Sequence, residues 1–150
     1  MKAVVQRVVE ASVEADGRET GRIGRGLLIF LGVAEGDDEK DAERLAGKIV
    51  NLRVFENEEG KMHYSVKDLG LKLLAISQFT LLGNCERGNR PDFTRAAAPR
   101  DAERLYERFK EIASAEVPTE SGVFGAKMKI AAVNDGPVTI ILNSRKDRRD

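Results

Sequence analysis

The chain has 150 residues, with 25 Lys and Arg against 25 Asp and Glu, one His, one Cys and no Trp. At 41% hydrophobic and 33% charged residues it is one compact domain's worth of sequence, too apolar for a disordered tail. Its longest uncharged apolar run, Gly26 to Ala34, has nine residues, where a membrane-spanning helix needs about 20; a lone Cys85 and a lone His63 exclude an internal disulfide and leave no zinc site.

In chain order, Met1-Lys2-Ala3-Val4-Val5-Gln6-Arg7 meets charge before a signal-peptide core can form, which predicts a cytoplasmic location. Ala3 to Val9 and Ala11 to Val13 read as β-branched strand, Asp16-Gly17 as a hairpin turn, and Gly26 to Val33 as a buried strand. Asp37 is a candidate N-cap for a helix whose apolar stripe is Ala42, Leu45, Ala46, Ile49 and Val50. Glu58 to Lys61 reads as a turn and Leu71 to Leu82 as a long central strand. Gly83 to Pro99 is a polar loop, and Asp101 is the candidate cap of a second helix striped by Ala102, Leu105, Tyr106, Phe109, Ile112 and Ala113 and ended by Val117-Pro118. A final hairpin pairs Val123–Val133 with Val138–Leu142 around Asn134-Asp135-Gly136-Pro137. About seven strands with two separated amphipathic helices make a single α+β domain, residues 1–144, with a curved, barrel-like sheet. Residues 145–150 read as a charged, disordered tail.

Zero net charge hides local imbalance. Glu35 to Glu43 carries six acids and one base, a face that should repel RNA, whereas Arg87, Arg90, Arg95 and Arg100 outnumber Glu86 and Asp92 and are candidate phosphate contacts. The cluster Gly21-Arg22-Ile23-Gly24-Arg25-Gly26 has the wrong spacing for a phosphate loop and reads as turn chemistry. His63 reads as a surface residue and Cys85 as an incidental thiol. Two segments place polar groups in apolar surroundings: Ser77-Gln78-Phe79-Thr80, where strand alternation would put Gln78 and Thr80 on one face, and Asn134-Asp135-Gly136-Pro137-Val138-Thr139. Each admits a bland reading, as a hydrogen-bonded strand and an ordinary hairpin turn, beside that of a substrate pocket.

These segments occur in order with Met1 to Val8, Ala11-Ser12-Val13, Gly24 to Leu28, Arg53-Val54-Phe55, Gly60-Lys61-Met62, Glu86 to Pro91 and Phe124-Gly125-Ala126-Lys127-Met128. Together they make the chain resemble the D-aminoacyl-tRNA deacylases from Met1 to about Leu142. The resemblance implies a homodimer without metal or organic cofactor that hydrolyses the ester of D-aminoacyl-tRNA, and of glycyl-tRNA, at the tRNA 3′ end. It implies no membrane or DNA partner. Ser77, Gln78, Phe79 and Thr80 would form the catalytic pocket. Gly136-Pro137, as a cis pair entering the partner subunit, would exclude L-residues together with Asn134, Met128 and Phe124, and Arg87 and Arg90 would contact tRNA. His63-Tyr64 and Leu82-Gly83-Asn84-Cys85 depart from the family pattern. Because an aminoacyl ester is already activated, backbone N–H groups near Phe79-Thr80 and the substrate's own 2′-OH suffice in outline, with Thr80 beside the reacting carbonyl. A covalent role for Thr80 lacks an evident activating base. The rival readings are an editing deacylase clearing L-alanine from threonine tRNA and a non-catalytic RNA-binding module.

Overall fold

The computed structural model describes residues 1–146, so the tail at 147–150 lies outside the described residues. β1 (Lys2–Ala15) organises the sheet. One of its edges is shared by β3 (Gly26–Gly32), alongside its first half, and β2 (Arg18–Ile23), alongside its second; the other edge pairs along its whole length with β8 (Met128–Asn143). The β1–β2 hairpin turns on Asp16 and Gly17, both at positive φ (51° and 77°), which suits the right-handed twist of the flanking strands.

Parallel pairing continues from β3 to β6 (Lys72–Ser77) and on to β7 (Thr119–Ser121). Parallel neighbours need long crossovers. The first carries α1 (Glu39–Val50) and the small β4 (Phe55–Glu56) and β5 (Met62–Tyr64) ribbon, and the second carries α2 (Pro99–Ser114). The sheet then curls until β7 reaches back to β2, where Thr20 Oγ1 donates to the Ser121 carbonyl at 3.4 Å. Gly21 permits this seam, since a Cβ there would lie 3.0 Å from the same carbonyl oxygen. The expected α+β, barrel-like architecture is what the chain forms.

Both faces of β3 and β6 are buried, which is why Gly26 to Val33 is apolar without alternation. Ala3, Val5, Leu27, Ile29, Leu31, Leu73 and Ala75 face the helices, where Leu45, Ile49, Leu105, Tyr106 and Phe109 close over them. Val8, Ala11, Val13, Ile23, Leu28, Leu74 and Ile76 fill the inside of the curl. Val9 is the extra residue of a bulge between Val8 and Glu10, which keeps Ala11 and Val13 on the inner face.

Several expectations are corrected. The N-cap of α1 is Asp38, in a reciprocal capping box with Asp41, because Asp37 accepts from the Ala34 N–H (2.7 Å) and pairs with the Met1 ammonium (2.6 Å). α2 starts at Pro99 behind Ala98, the proline's fixed φ suiting the first helical position, and Asp101 lies inside the first turn. The acids of 35–43 are not a free repulsive face: besides Asp37, Asp41 binds Arg145 (Nε to Oδ1 3.0 Å), and Glu39 and Glu43 meet Arg104 and Arg108 of α2. Arg145 is therefore fixed to the domain rather than part of a loose tail. No hairpin forms around Gly136-Pro137: β8 continues as one strand paired with β1 on both sides of a local irregularity there, and Val123 to Lys127 precede it as a turn. Among the described residues no helix is long and apolar enough to cross a membrane.

Candidate active site

The parallel strands β3 and β6 end side by side, with Leu31 opposite Ser77. Ligands collect beyond the carboxyl ends of parallel strands, where the chain diverges. Here the chain does diverge. The Gln78 N–H donates to the Leu31 carbonyl at 2.8 Å, and Phe79–Leu82 then form a 3-10 turn, closed by Leu81 N–H to Gln78 O at 3.3 Å. The expected strand to Leu82 thus stops at Ser77. Gln78 and Thr80 are brought together by this turn and not by strand alternation: Gln78 Nε2 donates to Thr80 Oγ1 at 2.5 Å.

Beside the turn lies an apolar cavity of about 640 Å³. Ser77, Gln78 and Phe79 line it, as do Phe124 and Met128, while Thr80 is exposed and does not line it, reaching it only through its bond to Gln78. Phe93 and the run Ala96-Ala97-Ala98 form a further wall. That wall is held by Ala97 N–H to Val33 O (3.0 Å) and Glu35 N–H to Arg95 O (2.9 Å), which extend β3 into the loop. Phe79 is 55% exposed and meets Phe93 edge-on at 5.1 Å between ring centroids. Large apolar walls with few polar groups at one end are the usual make-up of a small-ligand site.

Asn134, Gly136 and Pro137 do not line this cavity. They lie on an excursion of β8: Gln6 pairs with Thr139 and Val8 with Asn134, so residues 135–138 leave the ladder opposite Arg7 alone. Gly136-Pro137 is cis, as the resemblance implied. Asn134 Nδ2 ties the base of the excursion by donating to Arg7 O (2.9 Å) and Val138 O (3.0 Å). Gly136 has φ 119°, a conformation that L side chains rarely adopt, and a Cβ there would lie 2.8 Å from Arg7 Nη2.

Arg7 is a residue that the sequence alone does not single out. Its side chain is 6% exposed and fixed on three sides: Nη1 donates to Val54 O (2.7 Å), Nε to Asp135 O (3.2 Å), and Nη2 sits 3.6 Å from Glu56 Oε1. The available signal is a lone guanidinium in the apolar strand Val4 to Val9, since Arg is rarely buried unless paired. Arg87 and Arg90 are exposed on the loop between Asn84 and Asp92, whose backbones pair at 2.7 and 2.9 Å. Cys85 is exposed on the same loop. His63 lies on β5 away from the cavity, with Nδ1 2.6 Å from Arg53 Nη2.

A family model described as D-Tyr-tRNA(Tyr) deacylase matches residues 4–143. A D-aminoacyl-tRNA deacylase of Geobacter sulfurreducens (strain ATCC 51573 / DSM 12127 / PCA) is 53% identical over 146 residues, covering 97% of this chain and 96% of its own. One from Halothermothrix orenii (strain H 168 / OCM 544 / DSM 9562) is 52% identical over 147 residues, covering 97% and 99%. Among solved structures, the c-Myc DNA Unwinding Element Binding Protein superposes with a TM-score of 0.91 at 44% identity, covering 97% of this chain and all of its own. A second, described as a probable eukaryotic D-amino acid tRNA deacylase, shares the fold alone, with a TM-score of 0.79 at 15% identity over 95% and 98% of the two chains. With nearly the whole chain matched by sequence and by fold, the protein belongs to the D-Tyr-tRNA(Tyr) deacylase family.

Proposed function

We propose that this protein hydrolyses the ester joining a D-amino acid, or glycine, to the terminal adenosine of tRNA. The observation that carries the reading is the bonded pair Gln78–Thr80, of which Gln78 lines the apolar cavity, inside a chain whose family relatives are deacylases. The ester carbonyl sits at the 3-10 turn. The Phe79 and Thr80 amides precede the turn's first internal donor, Leu81, and can face the oxyanion as the carbonyl carbon becomes tetrahedral. Gln78 anchors the Thr80 hydroxyl, which positions the substrate beside the attacking water, and the vicinal 2′-OH of the ribose assists that water. Ser77, Phe124 and Met128 shape the cavity wall.

The site is completed by a second copy of the chain. Val9, Val133 and Ile141 are 52%, 49% and 65% exposed on β1 and on β8, the strand that carries the 135–138 excursion. These side chains lie on the strands that the second copy would cover. Across that surface Gly136-Pro137 enters the partner's cavity and occupies the space an L side chain would need, while Asn134 holds the excursion in place. Arg87 and Arg90 contact tRNA phosphates. The test is ester loss from D-tyrosyl-tRNA incubated with the purified protein in chelator. Hydrolysis supports the reading; binding of the RNA without hydrolysis makes the protein an RNA-binding module, and selective cleavage of L-alanyl-tRNA makes it an editing deacylase of the other specificity.

A further inference from the structure

Gly32 ends β3, pairs with Lys2 and is buried. Its φ lies outside the left-handed region, so backbone freedom does not explain a glycine there. Space does. A Cβ on Gly32 would lie 2.5 Å from Leu82 Cδ2, 3.0 Å from the Gln78 carbonyl oxygen and 3.2 Å from Leu81 Cβ. All three atoms belong to the turn that brings Gln78 to Thr80. The same arrangement recurs at the far end of the turn: Gly83, at an ordinary φ of −61°, would place a Cβ 3.0 Å from both the Thr80 carbonyl oxygen and Phe93 Cε1.

We propose that Gly32 is a positioning residue for the deacylation site, its missing Cβ forming the seat on which the 78–82 turn rests, with Gly83 as a second seat at the turn's exit. The inference deepens the function proposed above and rests on it. The turn leaves β6 with Gln78 still bonded to Leu31, the residue just before Gly32, so it must fold down directly onto position 32. The Gln78 carbonyl that would be struck accepts from the Leu81 N–H and closes the turn. A methyl group at Gly32 lifts that carbonyl and tilts the Phe79 and Thr80 amides away from the cavity, leaving its apolar walls in place. Substrate binding then survives better than the chemical step, which depends on sub-ångström placement.

The experiment is steady-state deacylation of D-tyrosyl-tRNA by Gly32→Ala, Gly32→Ala/Leu82→Ala and Gly47→Ala, the last a glycine of α1 with no atom within 4 Å of an added Cβ. The Leu82 methyl can swing aside, but the Gln78 carbonyl oxygen at 3.0 Å must give by a few tenths of an ångström, so Gly32→Ala is expected to lower kcat by about 3- to 10-fold, where a full 1 Å would cost about 100-fold, with KM changed far less. Removing the Leu82 side chain, which supplies the tightest contact, is expected to recover part of the loss, and Gly47→Ala to keep wild-type kcat. Wild-type kcat in Gly32→Ala overturns the proposal, as does a folded double variant no faster than the single one. Should Gly32→Ala fail to fold, Gly83→Ala carries the same expectation, and wild-type kcat there overturns it. A wild-type protein inactive on D-tyrosyl-tRNA would instead contradict the proposed function. The seat is then read from the amide chemical shifts of Gln78 to Leu82, which move together in Gly32→Ala if the glycine seats the turn and stay in place if it does not.

Discussion

Thr80 and Arg7 are two polar residues with very different surroundings. The Thr80 hydroxyl accepts from Gln78, and among the described residues no histidine or carboxylate bonds it, since His63 meets Arg53 beside the β4–β5 ribbon. That environment supports the positioning role proposed above over a nucleophilic one. Thr80→Ala should therefore slow deacylation by much less than the roughly 10⁶-fold effect of removing a triad serine. Single-turnover kinetics check the rate, and an acyl group trapped on Thr80 would contradict the assignment. Arg7 works at a distance from the chemistry, bonding the Val54 and Asp135 carbonyls and so tying the ribbon to the excursion that carries Gly136. A lysine cannot span both acceptors with a planar fork. Arg7→Lys should cost about 1–3 kcal/mol of stability by leaving a buried carbonyl without its donor, measured by denaturant unfolding, and should narrow the ratio of D- to L-tyrosyl-tRNA cleavage. An unchanged ratio would detach Arg7 from selectivity. Both polar segments are visible in the sequence because they interrupt apolar runs. Arg7 interrupts one too, but a single charge in a strand usually faces water, so its burial becomes evident only in the fold.

At the scale of elements, α1 is fixed at its N-terminal end by charges from both chain ends. Asp41 is 1% exposed; its burial opposes ionisation, yet the Arg145 guanidinium, the Asp38 N–H, the Ser144 hydroxyl and the Met1 ammonium together hold its carboxyl well below the usual carboxylate range. A carboxyl whose pKa falls on folding contributes stability above its unfolded value, near 3.9, and loses it as pH drops toward the folded value. Asp41→Asn should thus lower Tm by a constant amount above about pH 5, with the gap closing below about pH 4 as the carboxyl of the unfolded wild-type chain takes up its proton. A gap unchanged down to pH 2 would mean that hydrogen bonding, not charge, holds the contact. The helices are legible from their apolar stripes, but tertiary partners decide their caps: Met1 takes Asp37, and Pro99 fixes the start of α2. The turn at Phe79 to Leu82 is not legible, since those residues favour a strand and only the room at Gly32 and Gly83 lets the chain fold over. Nor is the excursion at 135–138, which reads locally as a hairpin and is stretched into β8 by pairing with β1 on both sides.

Over the whole molecule, net charge is zero and the acidic stretch at the start of α1 is largely consumed by internal pairs, and the exposed arginine loop is the surface proposed above to contact tRNA. Reversing Arg87 or Arg90 to Glu should weaken binding alike for tRNAs of different sequence and reduce the salt slope by about 1 for each phosphate no longer neutralised. An unchanged slope would return these side chains to mere solvation of the loop. The barrel-like sheet with two helices is readable from element order, whereas the near closure between β2 and β7 depends on Gly21 and Thr20 meeting Ser121, residues far apart in sequence. The central claim is that a bonded Gln78–Thr80 pair in one subunit and a rigid excursion from its partner make a hydrolase that separates D- from L-aminoacyl esters. Its most direct test is a side-by-side rate measurement on D-tyrosyl-, glycyl- and L-tyrosyl-tRNA with chelator present. The account predicts ester loss from the first two while the third decays no faster than in buffer, and equal cleavage of the two tyrosyl enantiomers would contradict it.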